Sequence, residues 1–185
     1  MVNDVSGGGL DARMHAAVAA LGVPYVLMHM RGDPTTMQSA ENTAYGDVVA
    51  EVAAELRQKA AAAAAVGVET WRLVLDPGLG FAKGGKDNVR LLAGLPRLRA
   101  ALGPPLRGAP LLVGPSRKGC LGALTGHATP AARDAATAAA AALAAAGGAN
   151  VVRAHDAAGV RDALRVADAA VAAGGGAPWA PLHER

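Results

Sequence analysis

The sequence predicts an α/β fold of parallel strands joined by crossover helices. Three observations carry that prediction. Short β-branched or aliphatic runs alternate with longer, Ala-rich, charge-spotted stretches along the whole chain. Each short run ends in Gly, Asp, Pro or His, as strands do where they turn into loops. The last three runs, centred near residues 74, 112 and 152, are evenly spaced, as repeated strand–helix units would be. Two architectures compete, an open doubly wound sheet and part of a (β/α) barrel. A complete eight-unit barrel takes about 250 residues, and 185 residues leave room for five units. A dinucleotide-binding sheet would carry G-x-G-x-x-G after its first strand, which Gly7-Gly8-Gly9 does not supply.

The elements follow in order. The first strand is Val2–Val5, closed by Ser6-Gly7-Gly8-Gly9, and a helix follows over Leu10–Leu21. The second strand is Pro24–Met30; after a polar loop comes a long helix over Tyr45–Ala65, with Val48, Val49, Val52, Leu56 and Ala60 at helical spacing. The third strand is Trp71–Asp76, then a Gly-rich loop, then a helix capped by Asp87 and carrying Val89, Leu92, Leu95 and Leu98. The fourth strand, Leu111–Gly114, leads through a basic loop to Thr129-Pro130, a cap and first-turn proline, and an Ala-rich helix ending at Gly147-Gly148. The fifth strand, Asn150–Ala154, feeds a helix over Ala158–Ala173. Residues 1–173 thus form the folded unit, and residues 174–185 read as a flexible tail.

Composition narrows the function classes. Hydrophobic residues at 52% and charged residues at 18% are globular, and 3% aromatics make the core aliphatic. With 47 alanines and 24 glycines, helices and strands can pack closely, but the helix faces are poorly marked. A net charge of +3 with so few aromatics argues against a nucleic-acid partner and suits a small acidic ligand. No apolar run is long enough for a membrane span. A single cysteine, Cys120, excludes an internal disulfide and a cysteine-built zinc site and suits a reducing, intracellular compartment. The start reads without a secretory or transit segment.

In α/β folds ligands gather at the carboxyl ends of the strands. Those ends carry Asn3 and Asp4; Met28, His29 and Arg31; Asp76, then Phe81 and Lys83; Ser116, Arg117 and Lys118; and Arg153, His155 and Asp156. All should open onto one rim. Some have plain structural readings: His29 as a buried histidine bonded to backbone, Met28 as core, Asp4 as a turn cap, Arg117 as an ion-pair residue. Asp76, which follows a buried-looking strand and precedes Pro77, and Phe81, the sole phenylalanine, resist that reading. Arg153 and His155, two apart, would share one strand face and reach one anion. With Lys118 they make three groups able to carry positive charge on the last two strands, which suits a diphosphate.

The segments VNDVSGG (2–8), PYVLMHMRGDPTTMQ (24–38), LDPGLGFAK (75–83), VGPSRKG (113–119) and VVRAHD (151–156) together resemble dihydropteroate synthase, from residue 2 to about residue 173. Five motifs in order, each at a strand end, make the resemblance specific. Residues 24–38 and 110–119 look most like the plant and green-algal enzymes, in which the synthase follows a pyrophosphokinase in one mitochondrial protein. The resemblance implies a TIM barrel of which this chain is similar to strands four to eight, with the N-terminal units missing. It implies condensation of dihydropterin-6-ylmethyl diphosphate with 4-aminobenzoate, with Mg2+ held mainly through the diphosphate and the missing loops and no metal ligand in this chain, and a homodimer. By resemblance, Asn3, Met28, Asp76 and Lys118 would bind the pterin. Arg153 and His155 would bind the diphosphate, and Phe81, Lys118, Ser116 and Gly119 would border 4-aminobenzoate. Lys118, Arg153 and His155 would be the catalytic groups. Gly119 stands where many members have Ser, and Ala154 where many have Val. Two other readings remain: a pterin-binding methyltransferase, which has no need of the Lys118, Arg153 and His155 cluster, and a non-catalytic pterin-binding remnant.

Overall fold

The computed structural model describes residues 1–174 and contains, among them, five short strands and seven helices. The strands are β1 (Val2–Asp4), β2 (Tyr25–Met28), β3 (Leu73–Asp76), β4 (Leu112–Val113) and β5 (Val151–Val152). The helices are α1 (Met14–Leu21), α2 (Val48–Ala65), α3 (Gly85–Ala93), α4 (Leu95–Leu102), α5 (Gly119–Thr125), α6 (Asp134–Ala146) and α7 (Ala157–Ala173). Strands β1, β2 and β3 form one parallel sheet in that order, and β4 and β5 a second parallel pair. A single parallel bridge, Leu75 to Leu111, and a 2.8 Å bond from the Leu75 amide to the Pro110 carbonyl join the two. Spatial order therefore equals chain order, without the reversal that marks a doubly wound sheet.

The two-residue period of the strands sorts their side chains onto two faces. Tyr25, Leu27, Leu73, Leu75, Leu111 and Val113 point to the helices and join Val52, Leu56, Leu91, Leu95 and Leu98 in one continuous aliphatic core. Val26, Val74 and Leu112 form a separate small cluster on the opposite face. The alternate residues one rung further along are Met28, Asp76, Gly114 and Arg153, so the strand face without helices runs directly into the polar strand ends.

Several boundaries differ from the sequence expectation. The predicted helix over Tyr45–Ala65 starts at Val48, because the Asp47 carboxylate accepts from the Val49 and Ala50 amides and caps it there. The helix expected to be capped by Asp87 begins at Gly85 and stops at Ala93. Asp87 lies in its first turn and pairs with Arg90 at 3.0 Å. Gly94 and then Pro96, which cannot donate to a continuing helix, start α4 as a new element. The short helix α5 in the basic loop buries only Leu121 and Gly122 and was not expected from the pattern. Of the segment read as a tail, only Gly174 is among the described residues.

Candidate functional site

Asp76 is the pivot of the strand ends. It closes β3, opposite Met28 of β2, and is fully buried. One carboxylate oxygen accepts from the Gly78 amide at 2.8 Å, the other from Arg153 Nη2 at 2.9 Å. The second Arg153 nitrogen, Nη1, donates to Asn3 Oδ1 at 3.0 Å, so residues of β1, β3 and the end of β5 meet around one guanidinium. Burial raises the Asp76 pKa, and the Arg153 charge opposes that rise. Gly114 makes the crossing possible: a methyl group there would sit 2.9 Å from Arg153 Nη2. Met28 flanks Asp76 in register but its side chain is covered by protein, which is the plain core reading of this residue.

A second group lies beside this one. The Lys118 ammonium sits 4.2 Å from the centre of the Phe81 ring, a cation–π contact between the loops after β4 and β3. Burial lowers the Lys118 pKa, and the nearby Asp76 charge opposes the shift. The lysine stem lies so close to Gly80 that a methyl group there would be 2.7 Å from Cδ. Ala82 and Arg117, the neighbours of Phe81 and Lys118, have φ of 51° and 57° without being glycine. Strained backbone of this kind gathers where a fold holds side chains in fixed directions for a purpose. Gly119 is exposed at the first turn of α5.

Arg153 and His155 do not share a strand face as their spacing suggests. Strand β5 ends at Val152, and beyond it the alternation lapses. Arg153 turns to Asp76 and Asn3, whereas His155 Nδ1 lies 2.7 Å from Ser116 Oγ, which also accepts from the His155 amide at 3.0 Å. Ser116 thereby fixes the histidine against the end of β4. Arg153 and His155 thus stand at the mouth on separate tethers.

Beneath the loop of residues 77–83 runs a polar chain, buried at Lys83 and His29 and half-buried beyond them, that the sequence alone only hinted at. Lys83 Nζ lies 2.9 Å from His29 Nδ1; His29 Nε2 lies 3.0 Å from Glu55 Oε2; Arg31 pairs with Glu55 and Glu51. Lys83 is the donor to Nδ1, so the network assigns a neutral His29 with its hydrogen on Nε2. Arg31 stacks 3.9 Å above the Tyr45 ring, and Tyr45 donates to the Ala82 carbonyl at 2.8 Å. Burial pushes His29 down to about 4. Burial would raise the Glu55 carboxyl, but bonds from His29 and Arg31 outweigh it and hold it near 2. His29 is not bonded through backbone carbonyls, and Glu55 and Tyr45 carried no sequence signal beyond being charged or aromatic on an Ala-rich stretch.

The depressed His29 gives a pH expectation. Between its ordinary 6.5 and about 4, an unfolded chain takes up a proton that the folded one refuses, so stability falls as pH falls through that window. A shift of this size corresponds to about 3 kcal/mol. Urea unfolding at several pH values should show that slope, and His29→Asn should remove it above about pH 4.5; an unchanged slope would assign it to another group.

Two residues at the mouth are structural. Asp4 accepts from the Ser6 amide, the Ser6 hydroxyl and the Tyr25 hydroxyl, at 2.9, 2.8 and 2.8 Å, and so caps the turn after β1. Arg117 forms a two-point pair with Asp134 at 2.8 and 2.9 Å. Among the described residues no three His, Cys, Asp or Glu side chains come together as a metal cage. The mouth presents Lys118, Arg153 and His155, and Asp76 is already bonded on both oxygens. This donor set does not fit a protein-held Mg2+.

The comparisons with known proteins agree with this fold. The family described as pterin binding enzyme matches residues 1–155. The folate synthesis bifunctional protein of Arabidopsis thaliana is 44% identical over 159 residues, which are 84% of this chain and 33% of that protein. The crystal structure of dihydropteroate synthase from Stenotrophomonas maltophilia superposes with a TM-score of 0.83 at 43% identity, covering 93% of this chain and 62% of that one. Dihydropteroate synthase from Xanthomonas albilineans, solved in complex with 7,8-dihydropteroate, gives a TM-score of 0.80 at 44% identity, covering 93% and 59%. The chain therefore spans about a third of the plant relative's length. On the match over residues 1–155, the chain belongs to the family of pterin binding enzymes.

Proposed function

We propose that this chain supplies the pterin, diphosphate and 4-aminobenzoate contacts of a dihydropteroate synthase, on strands four to eight of a TIM barrel. Sequential parallel strands with a continuous helical core on one face support the barrel reading. The observation that carries the function is the meeting of Asp76, Asn3 and Arg153 beside the Lys118–Phe81 pair. A carboxylate matches the paired N–H donors of an aminopyrimidinone edge. When those donors reach Asp76, they replace Arg153, and the freed guanidinium joins His155 on the diphosphate. Lys118 bonds the pterin ring and, with Phe81, Ser116 and Gly119, borders 4-aminobenzoate; Met28 supports the slot from below.

The reaction then needs little proton transfer. The C–O bond of the dihydropterin-methyl diphosphate breaks, diphosphate departs with the electron pair, and the electron-rich pterin delocalises the methylene cation. The neutral arylamine nitrogen forms the new C–N bond and releases its proton. Arg153 and His155 stabilise the departing charge, and the two walls bring amine and methylene together. Because the protein donors at the mouth do not fit Mg2+, no step is assigned to a metal. In the assembled enzyme a homodimer is expected, and a mitochondrial location follows if the plant-like likeness extends to the whole protein.

The test is calorimetry with a dihydropterin analogue. Losing a charged hydrogen-bond acceptor weakens binding by about 1.5–3 kcal/mol, so Asp76→Ala should lose roughly 10-fold to 150-fold in affinity. Equal affinities for the two proteins would remove Asp76 from the site. The methyltransferase reading is disfavoured by the cluster of Lys118, Arg153 and His155 at the mouth, which suits a diphosphate and which a methyl donor does not need.

A further inference from the structure

The loop between β3 and α3 is tied from inside by one lysine. The Lys83 side chain is buried, at 3% exposure, and its nitrogen has three partners within hydrogen-bond distance: His29 Nδ1 at 2.9 Å, the Gly78 carbonyl at 3.1 Å and the Phe81 carbonyl at 2.9 Å. None of these partners is a carboxylate. All three are acceptors, and an ammonium group has three hydrogens to give them. The two carbonyls belong to the loop that carries Phe81, so Lys83 closes that loop into a ring and His29 anchors the ring to the end of β2. Tyr45 holds the same loop at Ala82 from the α2 side.

A buried ammonium is a poor choice for filling space, because an apolar side chain of equal size avoids the loss of hydration. The arrangement has a property that an apolar filler would lack. A neutral amine has two hydrogens, so loss of one proton must release one of the three acceptors. We propose that Lys83 is a positioning residue whose charge sets the 78–82 loop, and with it the Phe81 ring against which Lys118 lies. The consequence for 4-aminobenzoate rests on the function proposed above; the loop mechanism itself does not.

The groups that face Lys83 define its titration. Burial lowers its pKa to about 7; the charges of Asp76 on β3 and Glu55 on α2 oppose that, while Arg31 beyond β2 and Lys118 beyond β4 reinforce it. His29 is held neutral down to about 4 and so stays an acceptor throughout. The ring is therefore closed below neutrality and opens by one bond above it.

Phe81 is the only phenylalanine in the chain, so fluorophenylalanine labelling gives a single fluorine resonance on the loop itself. In the full 185-residue chain, that resonance should move between about pH 5.5 and about pH 8.5, with a midpoint near the depressed lysine value. In Lys83→Met it should lie near the high-pH position and stop titrating, while Lys118→Met should keep the midpoint. A resonance that does not move in the unsubstituted chain overturns the inference, and so does a titration that survives in Lys83→Met. The unsubstituted measurement decides the matter even where Lys83→Met fails to fold. Failure of the substrate reading looks different: a chain that binds no pterin analogue yet shows the titration upholds the role of Lys83 and removes only its consequence for 4-aminobenzoate.

Discussion

Gly78→Ala should collapse the end of β3 and destabilise the chain by several kcal/mol. Gly78 has φ of 70°, a conformation that costs an L-residue about 1–2 kcal/mol. A methyl group there would also lie 2.1 Å from the His29 carbonyl oxygen, which is backbone and cannot swing aside. The collision pushes β2 and β3 apart where Met28 and Asp76 pair. It also breaks the bond from the Gly78 amide to the Asp76 carboxylate, leaving a buried charge with one partner fewer. Urea unfolding of the two proteins measures the loss. A comparison with Gly85→Ala is informative, because Gly85 has open space around its missing side chain and no positive φ. Equal small effects at both positions would mean that the loop yields, and that Asp76 is held less firmly than its geometry implies.

Much of this site was legible in the sequence because its chemistry sits at strand ends, and strand ends are punctuated. Asp76-Pro77-Gly78, Ser116-Arg117-Lys118 and Arg153-Ala154-His155 each follow an aliphatic run, so both their position on the rim and their polarity can be read directly. The plain reading of Arg117 as an ion-pair residue also holds, through Asp134. Two things could not be read. The apolar spacing of Val89, Leu92, Leu95 and Leu98 runs on through Gly94, so periodicity hid the break between α3 and α4, and the seven residues of α5 are too few to show a period. The partnerships across the mouth were invisible as well, because they join residues far apart in sequence: Arg153 with Asn3, Lys83 with His29, Ser116 with His155. The even spacing of Arg153 and His155 misled for a local reason. Period-two alternation holds only while the strand lasts, and β5 is two residues long.

The largest effect is expected in catalysis. The outer edges of β1 and β5 have no strand partner among the described residues, and the small cluster of Val26, Val74 and Leu112 faces away from the helices. A barrel interior is covered by strands on its far side. On the proposed reading, the 185-residue chain turns over no substrate by itself. Fusing the first three strand–helix units of a related dihydropteroate synthase ahead of Met1 should pair both edges, cover that cluster and give measurable incorporation of 4-aminobenzoate. In the fusion, Lys118→Ala should lose most activity, because one ammonium faces both the Asp76 charge and the Phe81 ring. Removing a preorganised donor of this kind from an active site lowers kcat by roughly 100-fold to 1,000-fold. Turnover by the chain alone would show that the missing units are dispensable and would leave the partial-barrel reading without support. A folded fusion that binds the pterin analogue but forms no dihydropteroate would instead favour the remnant reading, since binding would then persist without the chemistry that the Lys118, Arg153 and His155 cluster is proposed to serve.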